Sequence, residues 1–111
     1  MNIEKVPAFV ANIEIAGDIA EAKRLINKKF YELGGCVTIE PLTFIYTGGT
    51  EEGIRIKFIN YPRFPSSSKE VTDRAIDMAG LLMKELNQKT AIVLTTDENI
   101  WLNEMPPGAT N

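Results

Sequence analysis

Along this chain the spacing of apolar residues switches from every second position to every third or fourth and back, twice, and few folds accommodate that alternation. Phe9, Ala11, Ile13 and Ile15 alternate with Val10, Asn12 and Glu14, the period of a half-buried strand over 8–16. Gly17-Asp18 breaks the run. Asp18 with Glu21 three residues on reads as a capping box, and Ile19, Ala22, Ile26, Phe30 and Leu33 then recur at helical spacing. This predicts a helix over 18–33 that stops at Gly34-Gly35.

From Cys36 to Thr47 the run CVTIEPLTFIYT is rich in β-branched and aromatic residues, and Pro41, which lacks an amide hydrogen, marks an edge position or a bulge within it. Residues 47–53 read as a hairpin loop, after which Ile54, Ile56 and Phe58 alternate with Arg55, Lys57 and Ile59. Pro62 and Pro65 forbid further ladder pairing, and Ser67 with Glu70 offers a second capping box. The helix that follows runs to about Asn87, with Val71, Ala75, Met78, Leu82 and Leu86 on its apolar face. Thr90 to Thr96 is a fourth strand, Asp97-Glu98-Asn99 a turn, and Ile100-Trp101-Leu102 a short apolar continuation. The expected organisation is a single ligand-binding domain over 1–104 and a flexible tail over 105–111, where Pro106-Pro107-Gly108 falls.

The order is therefore βαββαβ. Its compact solution is an α+β, ferredoxin-like two-layer arrangement, with an antiparallel sheet in spatial order 4-1-3-2 and both helices on one face. That topology puts the hairpin at Gly48-Gly49 beside Gly17-Asp18, and puts the loop 60–68, the Gly34-Gly35 turn and the end of the fourth strand at the opposite end of the sheet. By alternation Ile45, Ile59 and Tyr61 are expected on one face and Phe44, Ile56 and Phe58 on the other. A helix-free face with such content packs against something, which predicts a homodimer or higher homo-oligomer.

Among the 111 residues there is no His, so an imidazole general base, a Ser-His-Asp triad and a His ligand to zinc are all absent. On that ground the expectation is no enzyme, no catalytic residue, no metal and no cofactor. The single Cys36 cannot form an internal disulfide, which points to a reducing, cytoplasmic location. The apolar start is interrupted by Pro7, Asn12 and Glu14, so it reads as neither a signal peptide nor a membrane span. With 12 Lys+Arg against 15 Asp+Glu, broad attraction to a nucleic-acid polymer or an anionic membrane is not expected.

The densest chemistry lies between Asn60 and Ser68. Asn60, Tyr61, Arg63, Phe64, Ser67 and Ser68 bring an amide, two aromatic planes, a guanidinium and hydroxyls to the start of a helix, where free amides and the dipole favour an anion. These groups suit a nucleotide, with stacking for the base and a fork for phosphate. A rigid, proline-punctuated connection whose aromatics close the core and whose serines cap the helix accounts for the same residues. Thr96, Asp97 and Asn99 fall at the same end of the expected sheet, where they serve either as acceptors for ribose or adenine or as a surface turn. Thr47-Gly48-Gly49-Thr50 lacks the Lys of a P-loop and reads as a hairpin. Arg55, Lys57 and Glu40 read as a cross-strand ion ladder.

The strings IAGD, CVT with PLTFIYTGG, and INYPRFP, with the first helix between them, cover roughly residues 8–68 and resemble the phage anti-Thoeris sponge family of the first-described type. The resemblance implies a small oligomer that binds and sequesters cyclic ADP-ribose isomers made by TIR-domain immune proteins, in the cytoplasm of an infected bacterium, with some members also taking cyclic oligonucleotides. It implies Arg63 toward pyrophosphate, Phe64 or Tyr61 against the base, and Asn60 and the serines on ribose. An ACT-like regulatory domain that binds an amino acid between paired sheets is the alternative from another class. A phosphodiesterase or nucleotide cyclase is a third, and it lacks acid–base residues here.

Overall fold

The computed structural model describes residues 1–104, so the expected tail over 105–111 lies outside the described residues. The elements are β1 (Val10–Ala16), α1 (Ile19–Leu33), β2 (Thr38–Tyr46), β3 (Gly49–Ile59), α2 (Ser68–Glu85), β4 (Thr90–Thr95) and β5 (Asn99–Asn103). They build one antiparallel sheet in the order β2-β3-β1-β4-β5. The expected order 4-1-3-2 is present, extended by one strand. Residues 99–103 pair with β4 as a fifth strand where the sequence reads as a short continuation. Thr95 makes this possible by turning the chain: its amide donates to the Glu98 carbonyl at 2.8 Å and its hydroxyl accepts from the Glu98 amide at 2.8 Å.

Alternation decides which side of the sheet is the core. Ala11, Ile13 and Ile15 of β1, Ile54, Ile56 and Phe58 of β3, and Ala91 and Val93 of β4 are buried under Ala22, Leu25 and Ile26 of α1 and Val71, Ala75, Met78, Ala79, Leu82 and Met83 of α2. Both helices therefore cover one face. Burying these side chains contributes on the order of 1.5–3 kcal/mol each for the larger ones. The other face carries an ion triad in which Arg55 reaches Glu14 at 2.9 Å and Glu40 at 3.2 Å. Lys57, also on that face, takes no part in it.

Three local expectations are corrected. The loop over 47–53 is a tight turn at Thr47-Gly48, so β3 starts at Gly49 and the ribbon is longer. Only half of the first capping box forms: Asp18 accepts from the Glu21 amide at 3.1 Å, but the Glu21 carboxylate turns forward to Arg24. The facing of the hairpin residues is crossed, because the register Phe44↔Glu51 and Ile45↔Thr50 pairs even positions of β2 with odd positions of β3. Phe44 thus shares the helix-free face with Ile59, and Ile45 lies on the side of Ile56 and Phe58. Among the described residues no helix is long and apolar enough to cross a membrane.

Candidate functional site

Both helices pack on the same face of the sheet. Between them, at the end of the sheet where β3 leaves and β2 begins, lies a cleft of about 970 Å³. Its floor is Phe58, Val71 and Met78, all buried, and Phe30, Leu33 and Leu81 form apolar walls. The end of α1 is shaped for this. Gly34, at φ 76°, closes the helix by donating its amide to the Phe30 carbonyl at 2.7 Å, and a Cβ on Gly35, at φ 147°, would come within 2.9 Å of Cζ of the Phe30 ring. Phe30 is thereby pinned over the backbone that leads to Cys36.

On the opposite wall the chain leaving β3 makes a turn in which the Phe64 amide donates to the Tyr61 carbonyl at 3.0 Å, with Pro62 fixing the first central residue. Arg63 sits at the tip, exposed, with its guanidinium 5.5 Å from the centre of the Phe64 ring and no ion pair among the described residues. Phe64 is 72% exposed. Tyr61 lines the cleft beside Cys36, and hydrogen bonding toward the Cys36 sulfur, partial burial and charge on that sulfur together push the phenol up to about 12.

Arg74 and Asp77 of α2 and Lys29 of α1 also line the cleft, giving three cations and one carboxylate. Arg74 is held in place: it donates to Ser66 Oγ at 3.0 Å and pairs with Glu70 at 3.7 Å. A positive, aromatic, largely apolar hollow is suited to a flat base carrying phosphate.

Of the residues expected from sequence, Tyr61, Arg63 and Phe64 are brought together in this cleft. Asn60, Ser67 and Ser68 do not line it. Asn60 is buried, donating from Nδ2 to the Pro7 carbonyl at 2.9 Å and accepting at Oδ1 from the Ser66 amide at 2.8 Å. Ser67 and Glu70 complete a capping box, so the amides of Ser67 and Glu70 are already bonded to side chains of this chain. Thr96 and Asp97 belong to the β4–β5 turn and Asn99 opens β5; Thr96 Oγ1 accepts from the Val10 amide at 3.2 Å. They share the sheet end but not the cleft.

Lys29, Phe30, Cys36, Arg74 and Asp77 are among the lining residues that the sequence reading missed. A signal existed for α2: Arg74, Asp77 and Leu81 follow at steps of three and four, one flank away from the buried stripe of Val71, Ala75, Met78 and Leu82. A second hollow of about 530 Å³ lies at the opposite end of the sheet, lined by Asp18, Glu51 and Glu52 among others, and its acidity is opposed to phosphate.

No family model matches the chain, and comparison with curated proteins finds no match. Solved structures do match. A phage SAM lyase in its apo state superposes with a TM-score of 0.73 at 17% identity, covering 96% of this chain and 99% of that one. The chain shares its fold with a phage SAM lyase. A second structure, a phage SAM lyase in complex with S-methyl-5′-thioadenosine, superposes with a TM-score of 0.69 at 14% identity, covering 93% and 95% of the two chains.

These matches overturn the expectation that the chain is not an enzyme, because a lyase is built on this whole fold. The inference from the missing histidines was too strong in physical terms. Carboxylates, Tyr, Lys and positioned backbone groups move protons and stabilise charge as well. These neighbours give the anti-Thoeris resemblance no direct support.

Proposed function

We propose that the chain binds an adenine nucleotide of the cyclic ADP-ribose class in the cleft between α1 and α2, and that it works as a homo-oligomer. The observation that carries this reading is Arg63: an exposed guanidinium at the tip of a proline-fixed turn, stacked on Phe64, with no carboxylate partner among the described residues. Such a fork matches a pyrophosphate, and the adjoining aromatic planes match a base. Lys29 and Arg74 add charge of the same sign. The volume of about 970 Å³ lies at the upper end of the range for small-molecule sites, roughly 300–1,000 Å³, as a dinucleotide-sized ligand needs. The adenosine moiety in the ligand of one fold neighbour supports the nucleoside part. In this reading the ligand is a signal of TIR-domain immune proteins and the chain acts in the cytoplasm of an infected bacterium, as its resemblance to the anti-Thoeris family implies.

A second reading follows from the fold neighbours, which are named as lyases of SAM. Against it stands the charge of the cleft, since a sulfonium cation gains nothing from Lys29, Arg63 and Arg74. One experiment separates the two. The purified protein is incubated with cyclic ADP-ribose isomers or with SAM, freed of unbound ligand and heat-denatured, and the released molecules and the supernatant are identified by mass spectrometry. Recovery of the cyclic nucleotide supports the first reading, and its conversion would assign turnover to the same cleft. Accumulation of S-methyl-5′-thioadenosine from SAM supports the second. If micromolar protein retains no nucleotide, the first reading fails.

A further inference from the structure

β2 is the outer strand of the sheet, and its backbone has a definite polarity. The Glu52 carbonyl accepts from the Gly17 amide and the Asn60 amide donates to the Phe9 carbonyl, so even positions of β3 are directed toward β1 and odd positions toward β2. By the register Thr38↔Lys57 through Tyr46↔Gly49, even positions of β2 face β3 and odd positions face outward. Pro41 is odd, which is why a proline is tolerated in mid-strand. Ile39, Thr43 and Ile45 consequently direct both their N–H and C=O groups away from the sheet.

Beyond the pairs Ala16↔Gly53 and Leu42↔Gly53, β1 has ended, and Thr43 to Glu52 continue as a two-stranded ribbon with no third strand beside it. A ribbon of two strands is marginal alone. This one carries Ile45 at 80% and Tyr46 at 55% exposure. Its outer strand, Leu42-Thr43-Phe44-Ile45-Tyr46, has no charge to discourage pairing, although open edges are ordinarily guarded by charges, bulges or prolines.

We propose that this edge pairs with the same edge of a second copy, antiparallel, with Phe44 on the two-fold axis. This rests on the oligomer part of the function proposed above and is independent of the ligand. The register follows from the outward groups. Placing Thr43 opposite the partner's Ile45, and Ile45 opposite the partner's Thr43, forms two hydrogen-bonded pairs and uses no proline amide. Shifting by one step either way about the axis sets Pro41 against Ile45 or draws Thr47 of the turn into the ladder. In the chosen register Phe44 meets its symmetry mate and Leu42 meets Tyr46 on the same face, a self-complementary apolar row. The nearest like charges, Glu51 and its mate, stand three strand spacings apart, roughly 14 Å, beyond a Debye length of about 8 Å. The two ribbons become one four-stranded segment.

The test uses the full chain in sizing chromatography with light scattering. Wild type is expected at twice the mass of one chain or an even multiple of it. Thr43→Pro and Ile45→Pro each delete one outward amide while sparing the ladder to β3, and each is expected to halve the mass with an unchanged circular dichroism spectrum. Should either fail to fold, F44C in a C36S background decides, because it places two thiols at the axis and is expected to give a covalent dimer on mild oxidation, whereas W101C does not. A monomer at tens of micromolar (an order-of-magnitude working range) overturns the proposal. So does a three-chain assembly, an assembly unmoved by both folded proline variants, or cross-linking by W101C in place of F44C.

Discussion

The Ser66 amide donates a 2.8 Å hydrogen bond to Asn60 Oδ1, and this bond ties the far end of the Tyr61–Phe64 turn to the end of β3. The Asn60 Nδ2 completes the clasp on the Pro7 carbonyl at 2.9 Å. Asn60→Ala leaves an amide and a carbonyl of a part-buried site without partners, at about 1–3 kcal/mol for each group that stays dry. The expected outcome is a lower urea midpoint with an unchanged slope, together with weaker nucleotide retention because the turn loses its anchor. Asn60→Asp keeps the acceptor for Ser66 but loses the donor to Pro7 and is expected to be no better than Ala. A variant with wild-type stability would show that the clasp does not hold the loop.

Gly53 sits where β1 ends, and a Cβ there would meet the Ile15 carbonyl oxygen at 2.9 Å and Cδ2 of the Phe44 ring at 3.0 Å. The ring can rotate away. The carbonyl is fixed in the β1–β3 ladder. Gly53→Ala is therefore expected to destabilise by about 1–3 kcal/mol, and Phe44→Ala on top of it to relieve only the part due to the ring. Chemical denaturation of the two single variants and the double variant reads both terms. Full rescue in the double variant would place the whole clash on Phe44.

Hydrogen bonding toward the Cys36 sulfur, with partial burial and charge on that sulfur, pushes the Tyr61 phenol from 10.0 up to about 12. Between those values the folded chain keeps a proton that the unfolded chain releases, so stability is fully present below pH 10 and declines as pH rises toward 12. Cys36→Ala should bring the phenol back toward its ordinary value and flatten that decline. Phenolate absorbance during alkaline titration, compared with Tyr61→Phe to isolate this one tyrosine, checks it. If wild type and Cys36→Ala titrate alike, the two side chains do not interact.

How much of this was legible in the sequence depended on range. Pro62 and Pro65 announced a tight, rigid connection, and Tyr61, Arg63 and Phe64 do share the cleft. Asn60 was misread in emphasis because a polar side chain at a strand end looks alike whether it faces a ligand or, as here, the backbone of Pro7 and Ser66. Helical periodicity gives the inward face but not the gap left between two helices, so it does not mark Lys29 and Arg74 as lining residues. The crossed facing of Phe44 and Ile45 has the same origin. Alternation along one strand is local, whereas the relation between two strands is set by the length of the turn at Thr47-Gly48. β5 escaped notice because its five residues follow a turn signal and leave only Ile100 and Leu102 on the core side.

If Arg63 is the anion-binding fork, its effects must depend on shape as well as charge. Arg63→Ala is expected to weaken retention of a cyclic ADP-ribose isomer by at least about tenfold, the loss of one charge-assisted contact of roughly 1.5–3 kcal/mol. Arg63→Lys keeps a point charge without the fork and without the same stacking on Phe64, so it should recover only part of the loss. Arg74→Ala removes a cation already engaged by Ser66 and Glu70 and should cost less. Lys57→Ala, an equal change of charge on the helix-free face, is expected to leave affinity unchanged. Calorimetric titration at two salt concentrations distinguishes a contact from a general field, because a general field loses its effect with added salt and affects Lys57→Ala and Arg63→Ala alike. Equal losses for those two variants would remove the cleft from the binding site.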